Sequence, residues 1–226
     1  MEGLQLKIMS LPANIVDKLK AEAKESNLGS FTSFECLAAY LWKARTKADK
    51  RQSADKEVVL RFRVNVRARM VPKLPPSSFG ALVIHGEVEG VKAGEIREES
   101  LGATATRIHE AIGWYTDPVR IEKELANYEA GRQPGKENKE SMVVTEIIDT
   151  RKAGLYDAQF SWGEVRAFRP ATPSNGAGII SLCSPLPCPP SNEGGGRHDS
   201  NGLEVVLRLT TIEMEGLLPT LSSSNS

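Results

Sequence analysis

Hydrophobic positions change their period several times along the chain, and each change marks an element. Leu4 to Met9 is apolar enough for a short strand. Ile15, Val16 and Leu19 then recur at helical spacing, with Asp17, Lys18 and Lys20 toward water. Ser10 suits the cap of this helix, Pro12 its first turn, and Asn27-Leu28-Gly29 its stop. The next helix has a clearer start. Thr32-Ser33-Phe34-Glu35 fits a capping box, in which hydroxyl and carboxylate each satisfy an orphan amide. Phe34, Leu37, Ala38 and Leu41 follow at i, i+3, i+4 and i+7, and Lys43, Arg45 and Lys47 suit the negative end of the helix dipole.

From Glu57 to Val66 the period falls to two. Val58, Leu60, Phe62, Val64 and Val66 share one face, whereas Val59, Arg61, Arg63 and Asn65 share the other. A Pro-punctuated turn, Val71 to Pro76, precedes a second strand over Ala81 to Val88. Ala93 to Tyr115 reads as one long helix and Pro118 opens another, to about Ala130. Gly131 to Glu140 is polar and loop-like. Further strands are predicted at Met142–Ile148, Val165–Phe168, Gly178–Cys183 and Leu203–Thr210, with a Pro- and Gly-rich loop over Pro185 to Gly202. The pattern predicts one α+β or mixed-sheet α/β domain over residues 1–218 and a disordered tail over 219–226.

Composition narrows the function classes. The 226 residues are 40% hydrophobic and 26% charged, enough for a sizeable core. Lys plus Arg number 29, as do Asp plus Glu. That balance argues against a nucleic-acid partner, which requires a cationic excess. No apolar run reaches the about 18 residues of a membrane-spanning helix. The first residues lack the build of a signal peptide, and three cysteines without C-x-x-C spacing suggest free thiols in the cytoplasm.

Candidate chemistry is sparse. His85 falls mid-strand, His109 mid-helix and His198 in the glycine-rich loop; structural or surface roles suit the first two. No His/Cys/Asp/Glu cluster has metal-ligand spacing, and Cys183 and Cys188 lack a second ligand pair. Glu193-Gly194-Gly195-Gly196 is not followed by the Lys and Ser/Thr of a phosphate-binding loop.

The informative stretch is Gln159-Phe160-Ser161-Trp162-Gly163. It resembles the Asp-Phe-Gly-Trp-Gly signature of the plant BAHD acyltransferases, with Gln159 in place of the Asp and Ser161 in place of the first Gly. Other segments match in order. Phe31 to Glu35, continuing to Ala48, is similar to the helix after the family's interdomain crossover. Asn65-Val66-Arg67-Ala68-Arg69, Pro72, Leu74-Pro75 and Phe79-Gly80 resemble its Arg-x-Arg, Pro-Leu-Pro and Tyr-Phe-Gly-Asn run, with Ala81 where the Asn is usual. Asp149-Thr150-Arg151 and Gly154-Leu155 resemble the approach to the signature.

The resemblance implies a chloramphenicol acetyltransferase-like α/β fold, a mixed sheet flanked by helices, and a role in plant secondary metabolism. It also implies transfer of an acyl group from coenzyme A, a co-substrate rather than a resident cofactor, to a small alcohol or amine. The family's catalytic His-x-x-x-Asp lies in an N-terminal domain. Here Glu89, Gly113 and Gly202 stand four positions beyond the three histidines, so the resemblance points to a C-terminal half without the general base. Such a half needs the missing N-terminal domain for turnover; the alternatives are a non-catalytic binding module and a truncated product. No catalytic residue or metal ligand is assigned. Residue by residue, the resemblance implies coenzyme A contact at Thr32, Ser33 and Phe34, at Asn65, Val66, Arg67, Ala68 and Arg69, and at Ile148, Asp149 and Thr150. The competing reading makes Thr32 a helix cap and the arginines supports of the fold. Phe160, Trp162 and Gly163 are implied to be structural. Gln159 cannot form the ion pair that the family's Asp is thought to make with Arg67, so other acceptors must take over. Ala93 through Asp117 looks most like the branch that uses aromatic acyl donors and long-chain or phenolic alcohols.

Overall fold

The computed structural model describes residues 3–49, 52–80, 82–131, 142–151, 159–164, 178–184 and 202–223. Ala81, Cys188, His198 and the strand predicted over 165–168 lie outside them, as does nearly all of the loop predicted over 185–202. In chain order the elements begin with β1 (Leu4–Leu11), α1 (Ile15–Glu25), α2 (Ser33–Ala48), β2 (Glu57–Asn65) and β3 (Val83–Lys92). Next come α3 (Ala93–Glu98), α4 (Leu101–Tyr115), α5 (Pro118–Glu129), β4 (Val143–Asp149), β5 (Gln159–Phe160) and β6 (Gly163–Glu164). The last are β7 (Ile179–Cys183), β8 (Leu203–Thr210) and α6 (Thr211–Ser223).

Six strands form one mixed sheet in the order β1-β8-β7-β4-β2-β3. β4 runs parallel to β2 and to β7; the other neighbours are antiparallel. The alternation of β2 holds: Val58, Leu60, Phe62 and Val64 enter the core, while Arg61 and Arg63 lie across from Glu87 and His85 on the other face. Val59 is buried as well, beside a register shift between Val58 and Leu60. Arg61 pairs with Glu87 at 2.6 Å and Arg63 with Glu146 at 3.0 Å. Burial and these neighbouring guanidinium groups push the His85 imidazole below its ordinary range.

The helices cover the Phe62 side, and α2 is enclosed among them. Cys36, Leu37, Ala38, Ala39, Leu41 and Trp42 are all buried. Lys43 and Arg45, assigned by sequence to the helix dipole alone, are buried too. Lys43 Nζ donates to the carbonyls of Ile96 and Glu99 at 2.6 and 2.5 Å. Arg45 reaches Glu213 of α6 at 2.6 Å and the Val144 carbonyl and Thr145 hydroxyl of β4 at 2.6 and 2.7 Å. Burial opposes ionisation of Glu213, but Arg45 and the Thr210 amide outweigh it and hold the carboxyl below its ordinary range. Gly178, at φ +95°, lets this cluster close, since a Cβ there would overlap the Val144 carbonyl and the Arg45 guanidinium.

Several sequence-based boundaries change. β1 runs on to Leu11, and α1 starts after Asn14, whose side chain makes no cap bond, so Ser10 is not the cap. The single helix predicted over Ala93 to Tyr115 is two. Glu99 is extended, and the Ser100 hydroxyl accepts from the Ala103 amide at 3.1 Å, restarting the helix. The tail predicted to be disordered from Pro219 is instead helical as far as Ser223. Pro219 sits on the exposed side of α6, where its ring displaces no core packing, while Met214, Leu217 and Leu221 are buried along the opposite stripe. The domain therefore extends beyond residue 218. No helix among the described residues is long and apolar enough to cross a membrane.

Candidate functional site

Parallel pairing of β2 with β4, which sets Phe62 opposite Ile147, brings the carboxyl ends of the two strands side by side. β7, parallel to β4, ends beside them: the Thr150 amide and hydroxyl both donate to the Leu182 carbonyl at 3.0 Å. The start of α2 lies over the same end, because Phe34 meets Phe62 edge-on at 6.1 Å. The sheet thus gathers Thr32, Ser33 and Phe34, the run from Asn65 to Arg69, and Ile148 to Thr150. In an open α/β sheet, ligands bind outside the carboxyl ends of the parallel strands.

Each segment has its own anchor. At α2 the capping box forms as its sequence predicts: the Thr32 amide donates to Glu35 Oε2 at 2.6 Å, and the Glu35 amide donates to Thr32 Oγ1 at 3.3 Å. The other carboxylate oxygen of buried Glu35 lies 2.9 Å from His109 Nδ1, and the His109 ring meets Phe31 edge-on. His109 is therefore a tie between α4 and the start of α2, a contact hidden from sequence because its partner lies 74 residues away.

After β2 the chain makes a single 3₁₀ turn over Arg67–Arg69. Val66 is buried, whereas Asn65, Ala68 and Arg69 are exposed. Arg67 does not stand bare for want of a carboxylate at position 159. Asn65 Oδ1 accepts from its backbone amide at 3.1 Å and from Nη1 at 3.3 Å. Nη2 donates to the Ser78 carbonyl at 3.2 Å and also to that of Gly80. Gly80 has φ +106°, a conformation that favours glycine. Arg67 Nε is buried without a hydrogen-bond partner, and among the described residues no carboxylate pairs with this guanidinium. The side chain fastens a loop that holds Val71 and Phe79 out in solvent.

At the end of β4, Asp149 is engaged with Arg151 at 2.7 and 2.9 Å. The signature residues stand apart from this convergence. β5 and β6 form a separate two-stranded hairpin in which Phe160 and Trp162 stack with ring centres 5.0 Å apart. Trp162 is 83% exposed and Phe160 also faces solvent, so neither contributes to the core. Gly163 takes the positive φ of the turn, +135°. The side chain of Gln159 lies outside the described residues.

Chemically, the gathered end offers hydroxyls, amides and cations. Hydroxyls and amides suit the amide-bearing arm of a pantetheine; Arg67 and Arg69 suit phosphate. Among the described residues, no three His, Cys, Asp or Glu side chains are grouped to hold a metal ion.

Comparisons with known proteins give this geometry a context. A family model described as the Transferase family matches residues 4–220. The omega-hydroxypalmitate O-feruloyl transferase of Arabidopsis thaliana is 35% identical over 155 residues, 66% of this chain and 32% of that protein. The spermidine coumaroyl-CoA acyltransferase of the same plant is 31% identical over 169 residues, 74% of this chain and 36% of that one. The F. sporotrichioides TRI101 structure, complexed with coenzyme A and T-2, superposes with a TM-score of 0.74 at 18% identity, covering 97% of this chain and 49% of that one. Vinorine synthase superposes with a TM-score of 0.71 at 18% identity, over 100% and 49%. The matches span about a third of these curated relatives and about half of the solved chains.

Proposed function

The chain belongs to the BAHD family of acyl-coenzyme A-dependent acyltransferases, and from that premise we propose that it forms one wall of a channel in which coenzyme A surrenders its acyl group. In this reading residues 4–220 are the C-terminal half of a two-domain enzyme, and the general base comes from the other half. The observation that carries it is the convergence of three segments at the carboxyl end of β2 and β4, around a guanidinium with no carboxylate partner among the described residues. Thr32, Ser33 and the Asp149–Thr150 backbone face the pantetheine arm, and Arg67 and Arg69 attract phosphate. Relatives named for feruloyl and coumaroyl transfer favour an aromatic acyl donor, with an alcohol or amine as acceptor.

No histidine of this chain has an Asp four positions on. The chain alone is therefore expected to bind coenzyme A without turning it over, because general-base catalysis contributes about 10²–10⁴-fold. That same absence favours a non-catalytic coenzyme A-binding module as the second reading. Calorimetric titration of the chain with coenzyme A tests the common part. Binding is expected, weakened about tenfold by Arg69→Ala, since a hydrogen bond to a charged group is worth about 1.5–3 kcal/mol. A folded chain with no affinity for coenzyme A overturns the proposal. Transfer from feruloyl-coenzyme A by the chain alone, abolished by His85→Ala or His109→Ala, overturns the assignment of the base to another half.

A further inference from the structure

A buried carboxylate keeps its place only while donors satisfy its oxygens. Glu35 is 2% exposed, and each of its oxygens meets one partner. Oε2 accepts from the Thr32 amide at 2.6 Å, and Oε1 faces His109 Nδ1 at 2.9 Å. Among the described residues no third donor reaches this carboxylate. With an ionised acceptor at that distance, Nδ1 is the ring nitrogen that carries the proton. The bonds lie in series. His109 holds Glu35, Glu35 holds the Thr32 amide, and Thr32 closes the cap by accepting from the Glu35 amide at 3.3 Å. Phe31, directly before Thr32, rests edge-on against the same imidazole, with ring centres 6.3 Å apart. α4 gives this ring a rigid mount. It lies so close to α1 that a Cβ on Gly102 would overlap the Ala23 carbonyl and the Ser26 side chain, and its Ala105 and Ile108 are buried.

We propose, on the coenzyme A-binding role argued above for the start of α2, that His109 is a positioning residue: acting through Glu35, it sets where Thr32 and Ser33 stand against the pantetheine arm. The Thr32 hydroxyl bonds only inside its own cap, so the polar link from this turn to α4 runs through Glu35 to His109. Without the Nδ1 donor, Oε1 is left buried and unpaired, a state relieved by turning the carboxylate out toward water. The Thr32 amide is then released, and the first turn of α2 loosens together with the two hydroxyls it carries. The guanidinium past β2 is anchored separately, by Asn65, Ser78 and Gly80. Loss of His109 therefore acts on the grip of the pantetheine arm and spares that of the phosphates.

Calorimetric titration of the 226-residue chain with coenzyme A and with 3′-phospho-ADP, the same molecule without its arm, separates positioning from general support. His109→Ala should weaken coenzyme A binding about tenfold and leave 3′-phospho-ADP within about twofold of the parent, at a temperature where circular dichroism shows both chains folded. His109→Asn, whose amide can donate to Oε1 in place of Nδ1–H, should restore most of that affinity. His109→Gln carries its donor one carbon further out and should not. Should His109→Ala fail to fold, the Asn and Gln variants decide by themselves. In a Glu35→Gln background, His109→Ala should weaken coenzyme A by less than about twofold, because the path is already cut. A parent that binds coenzyme A no better than His109→Ala, equal weakening of both ligands, or equal affinity of the Asn and Gln variants overturns the proposal and leaves the coenzyme A-binding role standing. A folded parent that binds neither ligand overturns that role, and the positioning by His109 with it.

Discussion

Arg45 and Arg67 both hold a guanidinium against the protein, at opposite ends of the sheet, and they are satisfied in different ways. Arg45 sits by the start of β4, where a carboxylate, a carbonyl and a hydroxyl accept from it; it and Glu213 are only 4% and 6% exposed. Arg67 lies past the end of β2, held by one side-chain amide and two carbonyls, with its charge uncancelled by any described carboxylate and its Nε unpaired. The first arrangement locks α2, β4 and α6 together. The second fixes a loop and leaves a guanidinium without a described carboxylate at the end of the sheet where the coenzyme A site is proposed. Removing one partner of a buried charge pair strands the other; a guanidinium held by neutral acceptors alone has its hydrogen bonds satisfied but keeps its net charge.

The largest effect should follow from breaking the locked pair. Arg45→Ala strands a buried carboxylate and should cost about 3–5 kcal/mol in a denaturant melt. Arg45→Met with Glu213→Leu should recover much of that loss. A single variant within about 0.5 kcal/mol of the parent would show that the two arginines do not differ as described.

The same pair should set the acid limit of the fold. Glu213 is held below its ordinary range in the folded state, so its contribution is fully present above the unfolded carboxyl value, about 4.3. It is lost as pH falls through the lower folded value. Stability measured from neutral pH downward should therefore drop in that window, and Glu213→Gln should flatten the drop. An unchanged slope would assign acid sensitivity to other groups.

Thr32 separates support from binding at the ligand end. Thr32→Val removes the acceptor for the Glu35 amide and should cost about 1 kcal/mol of stability. If the hydroxyl also meets pantetheine, coenzyme A affinity falls in the same variant when measured well below its melting temperature. Unaltered affinity would leave Thr32 as a cap alone.

The smallest effect is expected between Arg67 and position 159. Because Asn65, Ser78 and Gly80 already occupy Arg67, a cycle of Gln159→Asp, Arg67→Ala and the double variant should give a coupling below about 0.5 kcal/mol. A coupling above about 1 kcal/mol would restore the ion pair that the signature suggests and make the two arginines alike.

Local signals were legible where the deciding groups are close in sequence. Thr32 and Glu35 stand three residues apart and form the box that their spacing demands. Asp117 caps α5 ahead of Pro118, where the sequence opens that helix, and Leu203–Thr210 is the strand that its apolar run describes. The break at Ser100 was hidden because Ile96, Leu101 and Ile108 keep an apolar stripe across it; a serine cap overrode the periodicity. At Pro219 the order of strength reversed, and the burial of Leu217 and Leu221 outweighed one lost backbone hydrogen bond.

The alternation of β2, the capped start of α2 and the ordered motifs of an acyltransferase could be read from the chain directly, since each depends on residues within a few positions of one another. Long-range packing, by contrast, brings Arg45 to Glu213, 168 residues away, ties His109 to Glu35, and fastens Arg67 by the carbonyls of its own loop. It also turns Leu4, Leu6 and Ile8, the apolar side of β1, outward. Periodicity states which face of an element is apolar; which charge or strand comes to meet it depends on how the whole chain is routed.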